Sequence, residues 1–311
     1  MAATVAEAAA ADRLITEDVA LVDRSERGKL ALTGAEAKAF LNGQVSNEIE
    51  ALEPGTGCYA ALLSNKGKML GDLRAIDTGA ELWLDTERAS LQALFDTIRR
   101  GSVGWQVELH KRTLQQALLS LVGPRAGQAA AFEAASEHAN RASELGGAPV
   151  LLIATDLGVD VVCAAEDAER VRGALDVPEV PEAAAEVVRV ESGRPRYGID
   201  LDDTTIPQEA GLNERAVSFT KGCYVGQETV ARLHYRGKPN RFLRGLRLSA
   251  PVPSGTALLL GEREVGRIGS SVVSPRHGPI ALALVRREAA SGDALIAGEA
   301  TALVCDLPFA A

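Results

Sequence analysis

The spacing of apolar positions changes along the first part of the chain and predicts alternating strands and helices. LALTGAEAKAFLNGQ (30–44) has the pattern of a strand followed by a short helix, with Thr33 and Glu36 at capping-box spacing and Gly43 placed to end the helix. YAALLSNKGKMLGDLRAID (59–77) predicts a hairpin that turns at SNKGK. The first zone is therefore predicted to mix strands and helices.

Strands and helices continue to alternate up to residue 175. ELWLDT (81–86) predicts a strand, and RASLQALFDTIRR (88–100) predicts a helix with one apolar face. The elements predicted after residue 114 are a strand (115–124), a weakly amphipathic helix (125–139), a hairpin (149–165) and a helix (166–175). This order is typical of a small α+β domain.

The pattern changes again in the last third of the chain. VPEVPEAAAEVVRVESG (177–193) reads as a proline-marked connector that runs into a helix. After Pro239, short strands separated by turns favour an all-β barrel or sandwich of about 70 residues. At the other end, residues 1–13 are Ala-rich and lack the basic start of a secretory signal, so we expect a disordered tail there.

Composition narrows the classes of function. The 311 residues are 46% hydrophobic and carry a net charge of −9, which disfavours generic binding to nucleic acid. No apolar run approaches the ~20 residues of a membrane span, so we expect no membrane partner and a cytoplasmic location. The four cysteines and four histidines are scattered, and the sequence predicts no metal site.

Candidate chemistry concentrates in two polar segments. The common nucleotide, zinc-protease and serine-hydrolase signatures are absent. RVESGRPRYGIDLDDTTIPQEAGL (189–212) has little periodicity and many polar side chains, so it is solvated or lines a site. KGCYVGQETVAR (221–232) places Cys223 between two glycines and close to a lysine.

These two segments resemble the YgfZ family of folate-binding proteins. That family is related to the glycine-cleavage T-protein, an aminomethyltransferase, and serves in iron–sulfur cluster assembly and repair. The resemblance extends to FLNGQVSNEI (40–49), SNKGKMLGDL (64–73) and EVGRIGSSVVSP (264–275), and so covers nearly the whole chain. K-G-C-Y-x-G-Q-E is a specific motif because it fixes seven of eight contiguous positions, and T-proteins lack its cysteine.

The resemblance implies a multi-domain α+β fold, the three-domain cloverleaf of GcvT-like proteins with a C-terminal β-barrel. Residues 14–114 and 185–239 would form a composite folate-binding domain. Residues 115–184 would form a small ferredoxin-like domain, and residues 240–311 the barrel.

The resemblance also implies a cleft for tetrahydrofolate or a derivative. Glu209 would accept hydrogen bonds from the pterin, and Lys221 and Arg232 would hold the glutamate tail. Judged from the residues alone, Glu209 reads equally as part of a loop salt bridge, and the two cations as surface charges. The full set of expected cofactor contacts is Tyr197, Glu209, Lys221, Gly222, Tyr224, Gln227, Glu228 and Arg232.

Two residues are candidates for catalytic chemistry. Cys223 has a cationic neighbour and precedes a predicted helix, both of which favour a thiolate, although a small buried side chain is the alternative. Asp72 stands where T-proteins carry adjacent acids, and its alternative is an exposed turn residue. The other cysteines lie in apolar runs that would raise their pKa values: Cys58, Cys163 and Cys305.

The expected function is therefore that of a tetrahydrofolate-binding accessory protein for the assembly or repair of iron–sulfur enzymes, including tRNA-modifying ones. Its partners would be iron–sulfur client or assembly proteins. One alternative is a folate-dependent aminomethyl- or methyltransferase that uses Asp72. Another is a docking scaffold with a vestigial cleft.

Overall fold

The structure, a computed structural model, describes residues 5–309 and divides the chain into two compact units. Unit 1 consists of residues up to 62, 71–185 and 220–224, and unit 2 of residues 63–70, 186–219 and 225 onwards. None of the helices within residues 5–309 combines the length and apolar character needed to cross a membrane.

The helices and strands follow one another in an order that confirms the α+β class. In chain order they are α1 Val5–Glu17, β1 Ala20–Asp23, β2 Gly28–Thr33, α2 Ala37–Gln44, β3 Thr56–Leu63, β4 Met69–Asp77, β5 Leu82–Thr86, α3 Leu91–Gly101, β6 Glu108–Lys111, β7 Gln116–Val122, α4 Ala126–Ala129, β8 Asn140–Leu145, β9 Ala148–Ala154, β10 Gly158–Ala164, α5 Ala168–Leu175, α6 Glu182–Glu191, α7 Asn213–Ala216, α8 Gln227–Arg236, β11 Arg241–Leu248, β12 Ala257–Leu260, β13 Arg263–Ser274, β14 Gly278–Arg286, β15 Ala294–Ala297 and β16 Ala300–Cys305.

Two sheets supply the strands of unit 1. One has the order β3-β4-β5-β2-β6, and the other has the order β1-β7-β10-β9-β8. A shared apolar core of Ile76, Trp83, Leu118, Ile153 and Val162 takes residues from both sheets. Strands β5, β7 and β10 are accordingly buried at nearly every position, which is typical of strands covered on both faces.

A buried ion network also joins the two sheets of unit 1. Asp85 accepts hydrogen bonds from Arg27 and Arg74, and Arg74 also pairs with Asp160 at 2.7 Å. Ser120 donates to the second oxygen of Asp160 at 2.6 Å. Burial opposes a charge at Asp85, but the two guanidinium groups outweigh it and lower the pKa of this carboxyl to about 2.

Unit 2 contains the C-terminal barrel. Strands β11-β14-β13-β12-β15-β16 close into a ring, which confirms the predicted barrel, and apolar side chains fill its interior. Asp200 is tied to strand β13, because its two oxygens accept from the backbone and side chain of Ser270 at 2.7 and 2.9 Å. The loop that follows α6 is thereby fastened to the barrel.

Three local predictions in the first half of the chain are wrong. Residues 5–13 belong to helix α1 rather than to a disordered tail, consistent with the high helix propensity of alanine, while residues 1–4 of the predicted tail lie outside the described residues. The capping box does not form, because Thr33 ends strand β2 and bonds His110. Helix α2 also runs past Gly43 and ends at Gln44.

Two predictions in the middle of the chain also differ from the structure. Only Ala126–Ala129 of the predicted helix 125–139 is helical, because Ala131 and His138 adopt left-handed backbone conformations with φ of 48° and 67°. Strand β8 was not predicted, and it pairs with β9. Strand β1 pairs with β7, so residues 20–23 join the sheet formed by the middle of the chain.

Candidate functional site

The KGCY segment positions a lysine that binds backbone in unit 1. The ammonium group of Lys221 donates to the carbonyl oxygens of Asn42 at 2.6 Å, Val45 at 3.0 Å and Asn47 at 2.6 Å. These carbonyls lie in the last turn of α2 and just beyond it, where helices leave acceptors unpaired. Lys221 therefore anchors the segment 220–224 to the end of α2.

Lys221 is buried, and the thiol of Cys58 is among the groups that interact with its charge. Lys221 is 8% exposed. Burial lowers its pKa to about 8, although the negative charge of Glu48 opposes this shift. The ammonium lies 5.3 Å from the ring centre of Tyr224, whose own pKa is raised to about 12 by burial. Burial likewise raises the pKa of Cys58 to about 12, against the lowering effect of Lys221.

Cys58 was not predicted as part of this site. Its thiol donates to the carbonyl of Glu48 at 3.5 Å and is the cysteine whose pKa Lys221 influences. The expectation that burial raises the pKa is confirmed for Cys58, Cys163 and Cys305. Cys58 and Lys221 are far apart in the sequence and are brought together by the fold, so only a prediction of tertiary contacts would have found this pair.

Cys223 is exposed, in contrast to Cys163, which is buried. The alternative of a small buried side chain is therefore wrong for Cys223. Helix α8 begins four positions later at Gln227, so the thiol precedes the helix rather than standing at its first residue. Gly222 next to it has open space where a side chain would begin, so a larger residue would fit there.

Gly226, by contrast, is required by its surroundings in unit 2. Its φ of 84° is left-handed, and a Cβ atom there would lie 2.5 Å from the carbonyl oxygen of Ser64 and 3.1 Å from Gly67. Gly67 in turn packs against Thr229 of α8. The SNKGK turn and the start of α8 thus contact each other through two glycines.

Asp72 forms a buried pair with a tyrosine in unit 1. Tyr59 donates from its hydroxyl to the Asp72 carboxylate at 2.6 Å, and Asp72 is 7% exposed. Burial raises the pKa of Asp72 to about 6, although the bond from Tyr59 opposes this shift. A Cβ atom on Gly71 would lie 2.4 Å from the Cβ of Ser90. The alternative of an exposed turn residue is therefore wrong for Asp72, which has a pKa suited to proton transfer near neutral pH.

Glu209 is held in a salt bridge in unit 2. Arg241 donates to its two carboxylate oxygens at 3.2 and 2.9 Å, and the backbone of Ile206 donates at 3.1 Å. Arg241 also donates to the carbonyl of Thr204, which accepts from Lys68 as well. The loop salt bridge that the residues alone suggested for Glu209 is thus present.

The same loop holds two buried acceptors without a partner. The Oε1 atom of Gln208 and the Oδ1 atom of Asn213 are buried, and neither finds a hydrogen-bond donor within residues 5–309. Unpaired buried acceptors are costly, and they are satisfied when a ligand brings donors. Loop 205–213 therefore contains two acceptors that a ligand with suitable donors would satisfy.

A cleft of about 550 Å³ opens in unit 2 beside this salt bridge. Such a volume suits a small molecule. Among its lining side chains are Asp202, Arg241, Glu264, Arg267 and Arg286. Arg241 thus links the cleft to Glu209.

The remaining predicted contacts are distributed between the two units. Gly222 and Tyr224 belong to unit 1 with Lys221, whereas Tyr197, Gln227, Glu228 and Arg232 belong to unit 2 with Glu209. Glu228 and Arg232 are exposed on α8, and Tyr197 is half-buried. A role for these residues in cofactor binding stays a prediction. No group of three or more His, Cys, Asp or Glu side chains among the described residues is placed to hold a metal ion.

Comparison with known proteins gives the relationships of the chain. A putative chloroplastic transferase of Arabidopsis thaliana, At1g60990, is 27% identical over 316 residues, which cover 94% of this chain and 72% of that protein. An aminomethyltransferase of Thermotoga petrophila is 28% identical over 302 residues, covering 90% of this chain and 82% of that protein. The crystal structure of the glycine cleavage system aminomethyltransferase T from Bartonella henselae superposes with a TM-score of 0.84 at 22% identity, covering 97% of this chain and 89% of that one.

Family models cover both parts of the chain. The model for the GCVT N-terminal domain matches residues 2–221, and the model for the C-terminal β-barrel domain of CAF17 matches residues 241–308. The first match spans most of the chain, and the second falls on the closed barrel. The chain therefore belongs to the GCVT N-terminal domain family and continues into a CAF17-type C-terminal barrel.

Proposed function

We propose that this protein binds tetrahydrofolate and acts as an accessory factor for the assembly or repair of iron–sulfur enzymes. The observation that carries the proposal is the CAF17-type barrel that follows the GCVT N-terminal domain. The motif K-G-C-Y-x-G-Q-E, in which the structure leaves Cys223 exposed, supports the same function. Its partners would be iron–sulfur client or assembly proteins.

The residues of loop 205–213 fit a folate. The pterin of tetrahydrofolate carries an amino group and ring N–H groups, which are donors. The buried acceptors of Gln208 and Asn213 lack donors within residues 5–309, and the carboxylate of Glu209 lies in the same loop. We expect these three side chains to hold the pterin edge, while folate would supply its capacity to carry one-carbon groups.

Calorimetric titration with tetrahydrofolate tests the binding proposal. Gln208→Met removes the acceptor while keeping the length of the side chain, so the affinity should fall by about tenfold. Because the acceptor has no partner among the described residues, the melting temperature should not fall. Gln92→Met, on the exposed face of α3, is the matched control and should change neither quantity. Absence of tetrahydrofolate binding by the wild-type protein would refute the proposal.

The thiol is tested in cells by complementation of a deletion strain. Cys223→Ser should abolish support of iron–sulfur enzymes and leave the thermal melt unchanged, because the side chain is exposed. Cys163→Ser is the control: it should lower the melting temperature and still support iron–sulfur enzymes. A hydroxyl in the apolar core around β10 costs about 1–3 kcal/mol without a partner. Full complementation by Cys223→Ser would exclude a role for the thiol.

A second candidate function is aminomethyl transfer with Asp72. The observation in its favour is the buried carboxyl of Asp72, with a pKa of about 6 and a hydrogen bond from Tyr59. An assay with an aminomethylated lipoyl carrier and tetrahydrofolate distinguishes the two functions. Turnover that disappears in Asp72→Asn would favour the transferase, and tetrahydrofolate binding without turnover would favour the accessory factor.

A further inference from the structure

The C-terminal end of helix α8 exposes aromatic side chains that the proposed function leaves without a role. The ring of Phe219 stacks on His234 with centres 3.8 Å apart and planes at 17°. Tyr235 meets both rings edge-on, with centres 6.3 Å from Phe219 and 4.8 Å from His234. Tyr235 is 67% exposed, so most of this large side chain faces solvent.

Three exposed cations lie close to His234 and Tyr235 in the sequence, on α8 and just beyond its end. Arg232, Arg236 and Lys238 are exposed, and none of them forms an ion pair or a side-chain hydrogen bond with another of residues 5–309. Arg232 has Tyr235 three positions and Arg236 four positions after it on α8, so both side chains are its neighbours on the helix surface. We call this group of six residues the α8 surface: Phe219, Arg232, His234, Tyr235, Arg236 and Lys238.

Helix stabilisation accounts for only part of this charge. Cations in a last turn interact favourably with the helix dipole, and the last turn of α8 contains His234 and Arg236. Arg232 lies one turn earlier, and Lys238 lies beyond the end of the helix. The only acid one turn before Arg232 on this face of the described helix is Glu228, which is exposed and forms no ion pair with it within the described chain. A local positive surface therefore remains on a chain whose net charge is −9.

We propose that the α8 surface binds an acidic segment of a partner protein, in which carboxylates flank an aromatic or apolar side chain. The carboxylates would pair with the cations, and the apolar side chain would pack on Tyr235. Tyrosine and arginine are the residue types that most often dominate the energy of protein interfaces. This proposal stands whether or not the protein binds tetrahydrofolate.

The dimensions and the net charge favour a short peptide over a nucleic acid. From Arg232 to Arg236, four residues of α8 at about 1.5 Å each span roughly 6 Å, and the two residues beyond the helix add at most ~7 Å. The surface therefore matches about three or four residues of an extended chain at ~3.3 Å each. Screening limits the reach of the surface to about 8 Å at physiological salt. A long polyphosphate would extend beyond this positive surface onto the rest of the protein, whose net charge of −9 would repel it.

Fluorescence anisotropy with a labelled peptide of four glutamates around one phenylalanine tests the proposal. The variant Arg236→Glu with Lys238→Glu should weaken binding by about tenfold or more, and Tyr235→Ala by about threefold. The matched control is Arg99→Glu with Arg100→Glu, which reverses two exposed cations in the last turn of α3. The α3 control removes two cations from a last turn and the α8 variant only Arg236, so the melting temperature of the control should fall at least as much.

Each outcome decides between two conclusions. Binding by the wild-type protein that weakens with salt, is lost with glutamines in place of the glutamates and survives in the α3 control supports the α8 surface. No binding of the peptide at millimolar concentration would overturn the proposal, as would equal weakening in the α3 control. Tighter binding of a single-stranded thymidine oligonucleotide than of the peptide would overturn it in favour of nucleic acid.

Discussion

Replacing Lys221 by methionine should destabilise the protein more than the same exchange at a lysine that has a single backbone partner. Methionine keeps the apolar stem of the side chain, so the exchange removes the ammonium and little packing. Three carbonyl oxygens then lose a charged donor: those of Asn42, Val45 and Asn47. Because Lys221 is 8% exposed, water replaces that donor poorly.

The magnitude follows from the unpaired acceptors. A buried acceptor left without a partner costs about 1–3 kcal/mol, and part of this is recovered because the buried ammonium itself is disfavoured, as its lowered pKa indicates. We expect a net loss of about 3 kcal/mol in the free energy of unfolding. For a protein of this size, that lowers the melting temperature by about 6 °C or more.

Differential scanning calorimetry of matched variants measures this effect. Lys68→Met is the control, since the amine of Lys68 donates to the single carbonyl of Thr204 from a half-buried position, and its loss should cost less than about 1 kcal/mol. If Lys221→Met melts within about 1 °C of Lys68→Met, which corresponds to less than about 0.5 kcal/mol for a protein of this size, the three bonds contribute no more than the single bond of Lys68 does. The anchoring role would then be wrong.

Three further predictions concern single side chains. Asp72 binds a proton in the folded state that the unfolded chain releases, so urea unfolding should show the stability of the wild type, relative to Asp72→Asn, falling by roughly 2 kcal/mol between pH 4 and 6; a constant difference would contradict the raised pKa. Gly226→Ala should lose at least about 1 kcal/mol in the same assay because of its left-handed backbone and close carbonyl contact, whereas Gly222→Ala should stay within about 0.5 kcal/mol; equal effects would refute the difference. Cys223 should react with a disulfide reagent well before Cys58, whose thiol is protonated because its pKa is about 12, and the fast phase should vanish in Cys223→Ser.

Local signals were enough to predict part of the fold. The hairpin of β3 and β4 was predicted because alternation and the turn residues SNKGK lie within one short segment. Short strands separated by turns predicted an all-β barrel or sandwich for the end of the chain, and the resemblance implied the barrel that is present. The importance of Asp72 came from the resemblance, and its burial could not be derived from the pattern, because the aspartate reads as a turn residue next to a hairpin.

Partners that are far apart in sequence could not be predicted in this way. The carbonyls bound by Lys221 are 174 to 179 residues away, so no spacing rule relates them to it. Thr33 and Glu36 have capping-box spacing, but pairing of β2 with β6 brings His110 to the hydroxyl of Thr33 instead. Tertiary contacts decided the outcome in both cases.

Each unit is built from several separate segments of the chain, and this affects folding during synthesis on the ribosome. The chain passes between the units five times, and unit 1 takes its final piece from residues 220–224. Until that piece has left the exit tunnel, the carbonyls at the end of α2 lack their ammonium partner and unit 1 cannot be completed. The barrel strands 241–305 form one contiguous stretch and can close as they emerge. Unit 1 can therefore finish folding only late in synthesis. Nascent chains halted before residue 220 would keep unit 1 incomplete and would need protection by chaperones.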